Sequence, residues 1–205
     1  MIESKRIFDL CVSILLISFL WPLLLIIALI VKLSSSGPIL FIQERMGRHG
    51  KPFRIMKFRT MISNADSPGL SLTPFKDPRI TTFGRFLRYT KADELPQLFN
   101  VLRGEMSLVG PRPELPRFTT HYSSEEKRIL SIRPGMTDWA SLKYIDEDRL
   151  LADAADVEAM YLKTIMPDKL KINLEYLKNR TMLLDLQILL HTGLRLFARN
   201  PLPMP

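Results

Sequence analysis

Between Leu10 and Val31 the chain runs for 22 residues without a charged side chain. A straight helix of that length rises about 33 Å, close to the hydrocarbon thickness of a bilayer, so length alone permits a membrane span. Two features argue for something other than a simple crossing. Pro22 lies at the middle of the run, where it removes a backbone donor and clashes with the preceding turn. Basic residues also flank both ends: Lys5 and Arg6 before, and Lys32, Arg45, Arg48, Lys51, Arg54, Lys57 and Arg59 after. Positive flanks are retained on the cytoplasmic side, so both ends are drawn to the same face. A helix-break-helix hairpin that enters the membrane and returns, with Trp21 and Pro22 at its turn, satisfies both constraints. The alternative is a spanning helix kinked at Pro22, which lipid-embedded helices tolerate. A cleaved signal peptide fits less well, because its apolar stretch is usually ~7–15 residues.

The 205 residues divide on this reading into a membrane hairpin over 1–36 and a cytosolic domain over 37–205, with C-terminal amphipathic helices. A chain of this size holds one compact domain and an anchor. Lys and Arg number 29 against 21 Asp and Glu, a net charge of +8, which favours anionic partners such as nucleotides, lipid phosphates or an anionic leaflet. The single cysteine, Cys11, excludes an intrachain disulfide.

The pattern predicts an α+β fold, a small mixed domain of short strands and several helices. Residues 39–42 and 53–61 read as strands, the second exposing Arg54 and with it Lys57 or Arg59. Residues 64–78 read as a loop. Leu95, Leu98, Phe99 and Leu102 share one helical face, which predicts a helix over 95–102 capped by Thr90 or Asp93, with Pro96 in its first turn. Residues 146–160 are acidic with helical periodicity. The Leu-rich stretch 174–197 reads as an amphipathic helix that either covers the core or lies on the membrane surface.

Chemistry concentrates between Arg88 and Glu114. Asp93 and Glu94 are adjacent, so on a helix they diverge by about 100° and serve different partners. At a helix start Asp93 can attack a phosphorus atom while Glu94 holds a divalent ion. The plainer alternative is a capping Asp93 and a solvated Glu94. Arg88, Lys91 and Arg112 bracket the pair. Arg112 stands between Pro111 and Pro113, whose fixed φ angles suit a rigid guanidinium fork for phosphate. His49, His121 and His191 are scattered, with no zinc or Ser-His spacing, and the chain lacks a P-loop or a dinucleotide-binding fingerprint. No nucleic-acid-binding motif accompanies the positive charge.

Three stretches together are specific: KFRTM at Lys57–Met61, DELPQLFNVLRGEMSLVGPRPE at Asp93–Glu114, and RPGMTDWA at Arg133–Ala140. In this order they resemble the bacterial sugar transferase family, the small monotopic phosphoglycosyl transferases. The resemblance implies that Asp93 is the nucleophile of a covalent phosphosugar intermediate and Glu94 the protein contact of Mg²⁺. Arg88 and Arg112 would bind substrate phosphates, with Lys57 a further candidate. It implies a re-entrant hairpin broken at Trp21 and Pro22, where family members often carry Ser before the proline. It also implies a UDP-sugar donor, a polyprenyl (undecaprenyl) phosphate acceptor and release of UMP. The expected location is the cytoplasmic face of a bacterial inner membrane, in contact with anionic lipids and not nucleic acid. A second copy of the chain, or other glycan-assembly enzymes, are compatible partners. Many members bear a phosphate-binding Arg in a glycine- and asparagine-rich loop, where this chain reads Trp139 to Tyr144; Lys143 is the candidate cation there. Competing functions for the same residues are a membrane-anchored Mg²⁺-dependent phosphatase or diphosphatase and a non-catalytic scaffold that binds anionic lipid.

Overall fold

The computed structural model describes residues 2–62, 77–152, 154 and 156–197. Most of the expected loop over 64–78 lies outside the described residues. Helix α1 (Ile2–Ser34) carries the apolar run and keeps Pro22 inside it. The expected helix-break-helix is therefore a proline within an uninterrupted helical assignment, in keeping with a residue that removes one internal hydrogen bond and bends a helix without ending it. The segment Ser4–Ser34 is long and apolar enough to cross a membrane, and only a small part of it is buried in the protein. Ile14, Leu15, Phe19, Trp21, Leu25, Ile26 and Leu29 face outward. An exposed apolar surface of that extent is satisfied by lipid, and it associates the chain with a membrane.

Polar contacts hold α1 to the globular domain at both ends. Near its start, Arg6 donates to the carbonyls of Val101 and Leu102 at 2.7 and 3.0 Å, and Lys5 pairs with Asp185. Asp9, 2% exposed, accepts from the Ser107 hydroxyl at 2.8 Å and the Leu108 amide at 3.2 Å. Near its end, Arg59 donates to the carbonyls of Val31 at 3.2 Å and Ser35 at 2.6 Å, and to that of Pro38. These are the last carbonyls of a helix that lack internal partners. Arg59, expected on an exposed strand face, is thus buried and caps α1.

Strands β1 (Leu40–Met46) and β2 (Pro52–Phe58) form an antiparallel hairpin in which Leu40 faces Phe58 and Met46 faces Pro52. Its turn uses Gly50 and His49, both at positive φ. Phe53, Ile55, Met56 and Phe58 are buried along β2, while Arg54 is exposed. Helix α2 (Thr82–Thr90) is capped by the Thr81 hydroxyl and ends at Lys91 in the left-handed conformation. A short 3-10 turn, Ala92–Glu94, leads to α3 (Gln97–Arg103), whose cap position is Pro96. Neither Thr90 nor Asp93 caps it: Thr90 bonds back to Phe86 and Leu87 within α2.

Strand β3 (Ser107–Val109) precedes α4 (Pro116–Thr119) and pairs in parallel with β4 (Gly135–Thr137). The backbones of Gly110 and Gly135 approach so closely that a Cβ on Gly135 would stand 2.1 Å from the Gly110 nitrogen. Only glycine admits this contact, which seats the Gly-Pro-Arg-Pro loop on the Arg-Pro-Gly loop. Helices α5 (Trp139–Lys143), α6 (Glu147–Leu150) and α7 (Val157–Met160) are short, so the acidic stretch forms two pieces where one helix was expected. A π-helical turn, Tyr161–Ile165, runs into α8 (Met166–Asn179), and α9 (Met182–Phe197) follows. The C-terminal helix of the sequence reading is therefore two. Arg180 is extended, and the Thr181 hydroxyl accepts from the Leu184 amide at 3.1 Å, restarting the helix as a cap. One face of α9 packs on the core through Ile188 and Leu184, and the opposite face exposes Leu183, Leu186, Leu190 and Leu194.

Three apolar clusters position the site. Phe53, Ile55, Leu98, Val101, Met106 and Leu108 join β2, α3 and β3. Ile27, Val31, Phe58 and Leu87 join α1 to β2 and α2. Phe118, Tyr122, Tyr161, Ile165 and Leu170 form the base of the C-terminal half.

Candidate active site

The carboxylate pair sits in the 3-10 turn between two helices, where the left-handed Lys91 turns the chain out of α2. The turn exposes the two acids to different surroundings. Glu94 Oε1 accepts from Lys57 Nζ at 2.8 Å and from Arg112 Nη2, while its Oε2 accepts from Arg112 Nη1 at 3.0 Å. Arg112 thus grips Glu94 with both arms of its fork, the geometry that suits planar carboxylate or phosphate groups. Burial pushes the Glu94 carboxyl up, but Arg112 and Lys57 outweigh it and hold the group well below the usual carboxylate range. The Glu94 charge in turn raises the Arg112 pKa. For Lys57, burial lowers the pKa and Glu94 opposes it.

Asp93 is different. It is 7% exposed, and its Oδ1 is buried without a hydrogen-bond partner. Burial, reinforced by the charge of Glu94, pushes its pKa up to about 6, against the pull of Lys57, Lys91 and Arg88. A buried carboxylate oxygen with no donor is reactive toward an electrophile in a way that a capping or ion-paired one is not.

The backbone fixes Arg112 from behind. Its amide donates to Asp138 Oδ2 at 2.9 Å, and Asp138 Oδ1 accepts from the Ser141 amide at 2.5 Å as the cap of α5. Arg88 projects from α2 and donates through Nε to the Thr60 hydroxyl at 2.9 Å. The structure therefore brings Asp93, Glu94, Lys57, Arg88 and Arg112 to one site. Lys143 is not among them: it is exposed and donates to Asp168 Oδ2 at 2.7 Å, an oxygen shared with the Tyr144 hydroxyl at 2.8 Å. Trp21 and Pro22 are exposed on α1.

Asp138 was overlooked in the sequence, although Asp-Trp-Ala-Ser ahead of a helix carries an N-cap signal. Gln97 was also overlooked. It lies one turn beyond Asp93, is fully buried and has neither amide atom hydrogen-bonded. Its polarity inside an apolar helical face was the available signal.

Among the described residues no group of three or more His, Cys, Asp or Glu side chains could hold a metal. A magnesium ion does not require one, since it is commonly held by one or two carboxylates, substrate phosphates and water. The neighbouring oxygens of Asp93 and Glu94, one of them unpartnered, fit that donor set.

The family model described as bacterial sugar transferase matches residues 2–199. An undecaprenyl-phosphate glucose phosphotransferase of Komagataeibacter xylinus is 39% identical over 205 residues, 96% of this chain and 36% of its own. A UDP-N-acetylgalactosamine-undecaprenyl-phosphate N-acetylgalactosaminephosphotransferase of Aeromonas hydrophila is 36% identical, covering 92% of this chain and 42% of its own. A UDP-glucose:undecaprenyl-phosphate glucose-1-phosphate transferase of Caulobacter vibrioides is 39% identical over 92% of this chain and 67% of its own. The chain thus spans about two fifths of the first two relatives.

Proposed function

Because the chain belongs to the bacterial sugar transferase family, we propose that it moves a sugar-1-phosphate from a UDP-sugar to a polyprenyl phosphate such as undecaprenyl phosphate. The observation that carries this reading is the asymmetry of the acid pair. Two cations clasp Glu94, and Asp93 keeps a buried, unpartnered oxygen. In the first half-reaction that oxygen attacks the phosphorus bearing the sugar, and the bond from that phosphorus to the UMP oxygen breaks. UMP leaves, and the phosphosugar is esterified to Asp93. In the second, a phosphate oxygen of the polyprenyl acceptor attacks the same phosphorus and the carboxylate departs. Splitting the transfer means that the two anionic substrates need not meet. Arg112 and Arg88 take up charge on the phosphoryl oxygens, and Glu94 with Asp93 would hold Mg²⁺. When bound, that ion neutralises further charge on the phosphates.

Tethering of α1 supports a re-entrant topology. Arg6 and Asp9 near one end, and Val31 and Ser35 near the other, bind the same domain. A spanning helix would carry one end to the far leaflet surface, about 30 Å away. The domain then sits on the cytoplasmic face of the inner membrane, where its basic surface meets anionic lipid.

The decisive experiment supplies the UDP-sugar alone. Up to one equivalent of UMP should be released and an adduct of one phosphosugar should appear by intact mass, both lost in Asp93→Asn. Intersecting initial-rate plots with no adduct would point to direct transfer. Free sugar phosphate as the product would make the protein a phosphatase.

A further inference from the structure

Behind Arg112 lies a recess distinct from the acid pair, lined by Arg112, Glu114, Tyr122, Asp138, Ser141 and Asn173 among others. It is formed where the Pro-Arg-Pro loop meets α5 and α8. Its charged atoms are engaged elsewhere. Both Asp138 oxygens accept from backbone amides, Glu114 accepts from the Tyr161 hydroxyl, and Lys169 at its side pairs with Glu147. What remains is neutral. The Ser141 hydroxyl and Asn173 Oδ1 are buried without partners, and Asn173 is 6% exposed. Leaving such groups unpaired is unfavourable, so their retention on facing helices indicates a ligand group that pairs with them. An acceptor oxygen and a hydroxyl, with no spare cation, suit a hydroxyl or amide N–H and not a phosphate. The enclosed end admits a group of about one water's size, a substituent and not a whole ring.

Resting on the transferase reading, we infer that Asn173 and Ser141 form the subsite that reads one hydroxyl or acylamino substituent of the donor's sugar. The placement fits the chemistry. The sugar is joined to the reacting phosphorus by a single ester oxygen and remains on the protein after UMP leaves. Arg112 touches the acid pair with its guanidinium and lines the recess, so a sugar whose phosphate lies at Arg112 has its ring beside the recess. Sites built to hydrogen-bond a substrate hydroxyl discriminate strongly against donors that lack it, because their own buried groups are then left unpaired.

The test is competition in one tube between isotope-labelled pairs of UDP-sugars that differ at a single ring position, with undecaprenyl phosphate as acceptor. Glucose against galactose and glucose against N-acetylglucosamine are suitable pairs. The product ratio is independent of how much protein is folded, so Asn173→Ala and the milder Ser141→Ala remain informative if either loses stability. For at least one pair the ratio should shift by about tenfold in both variants. Ratios within about twofold of the parent for every pair overturn the inference and assign the recess to a resident water. An equal loss for all donors with weaker inhibition by UMP also overturns it, by assigning the recess to the nucleotide. If the parent protein transfers from no UDP-sugar at all, the transferase reading itself fails, and that is seen before any variant is made.

Discussion

Replacing Asp93 by Asn should abolish transfer and, at neutral pH, make the protein more stable. The carboxyl is 7% exposed and titrates at about 6 instead of its ordinary 3.8, chiefly through burial and then through Glu94. A tenfold change in proton affinity corresponds to about 1.4 kcal/mol, so keeping Asp93 ionised in the folded protein costs roughly 3 kcal/mol. Asparagine has the same shape without the charge but still buries an amide, which reduces the net gain to about 1–3 kcal/mol. For a chain of this size that is a rise of about 2–12 °C in unfolding midpoint. Below about pH 4 the carboxyl is protonated in the folded and unfolded chains alike, and the penalty vanishes. Above about pH 6 it is ionised in both, and the penalty is complete. The gap between variant and parent should therefore open as pH rises from 4 to 6 and stay constant beyond. Thermal unfolding in one detergent at several pH values measures it. An Asn variant no more stable than the parent at pH 7.5, or a gap of equal size at every pH, would refute the idea that Asp93 is held at a cost.

Four further outcomes follow from the same geometry. Donor-only release of UMP should rise with pH through about 6 as Asp93 loses its proton; a flat rate between pH 5 and 7 would exclude it as the ionised nucleophile. Arg112→Lys should lower kcat/KM by about 100-fold, because one ammonium cannot replace a fork that contacts both Glu94 oxygens; near-parental kinetics would mean that charge suffices. Glu94→Gln should reduce activity at fixed Mg²⁺ and regain part of it as Mg²⁺ is raised, and full activity of the parent in chelator would remove the metal from the scheme. Single cysteines at Ser4 and Ser36, in a Cys11→Ser background, should react with an impermeant thiol reagent from the same side of the membrane, whereas labelling from opposite sides would restore a true span.

The sequence exposed the site more fully than the fold around it. Adjacent acids, a proline-flanked arginine and a lysine in an alternating strand are local signals, and the structure brings all of them together. Element boundaries depended on long-range contacts. Leu95 looked like the start of a helix because apolar spacing continues back through the turn, but left-handed Lys91 and Pro96 delay it to Gln97. Apolar periodicity also ran across Arg180 and concealed the Thr181 cap between α8 and α9. Arg59 read as a surface charge because no local pattern shows that α1 returns its last carbonyls to that guanidinium. Lys143 looked available to phosphate for the same reason: Asp168, its partner, is 25 residues away.

Why two acids stand side by side follows from how the cations are shared. Had Lys57 and Arg112 been divided between them, each carboxylate would be neutralised and neither would be a ready nucleophile. Both cations instead contact Glu94, and the ionised Glu94 then acts on its neighbour as a fixed negative charge. With burial, that charge lifts Asp93 to about 6, low enough to be mostly ionised near neutrality and high enough to be more nucleophilic than an exposed aspartate. Pairs of titratable groups whose surroundings drive their pKa values apart take different roles in a reaction. The rigid Pro111-Arg112-Pro113 segment matters to this division because an arginine free to swing between the two acids would erase it. Anchoring the Arg112 amide on Asp138 holds the guanidinium to one side. Loosening that anchor, as in Asp138→Ala, should slow the Asp93 half-reaction even though no group that touches the phosphate has changed.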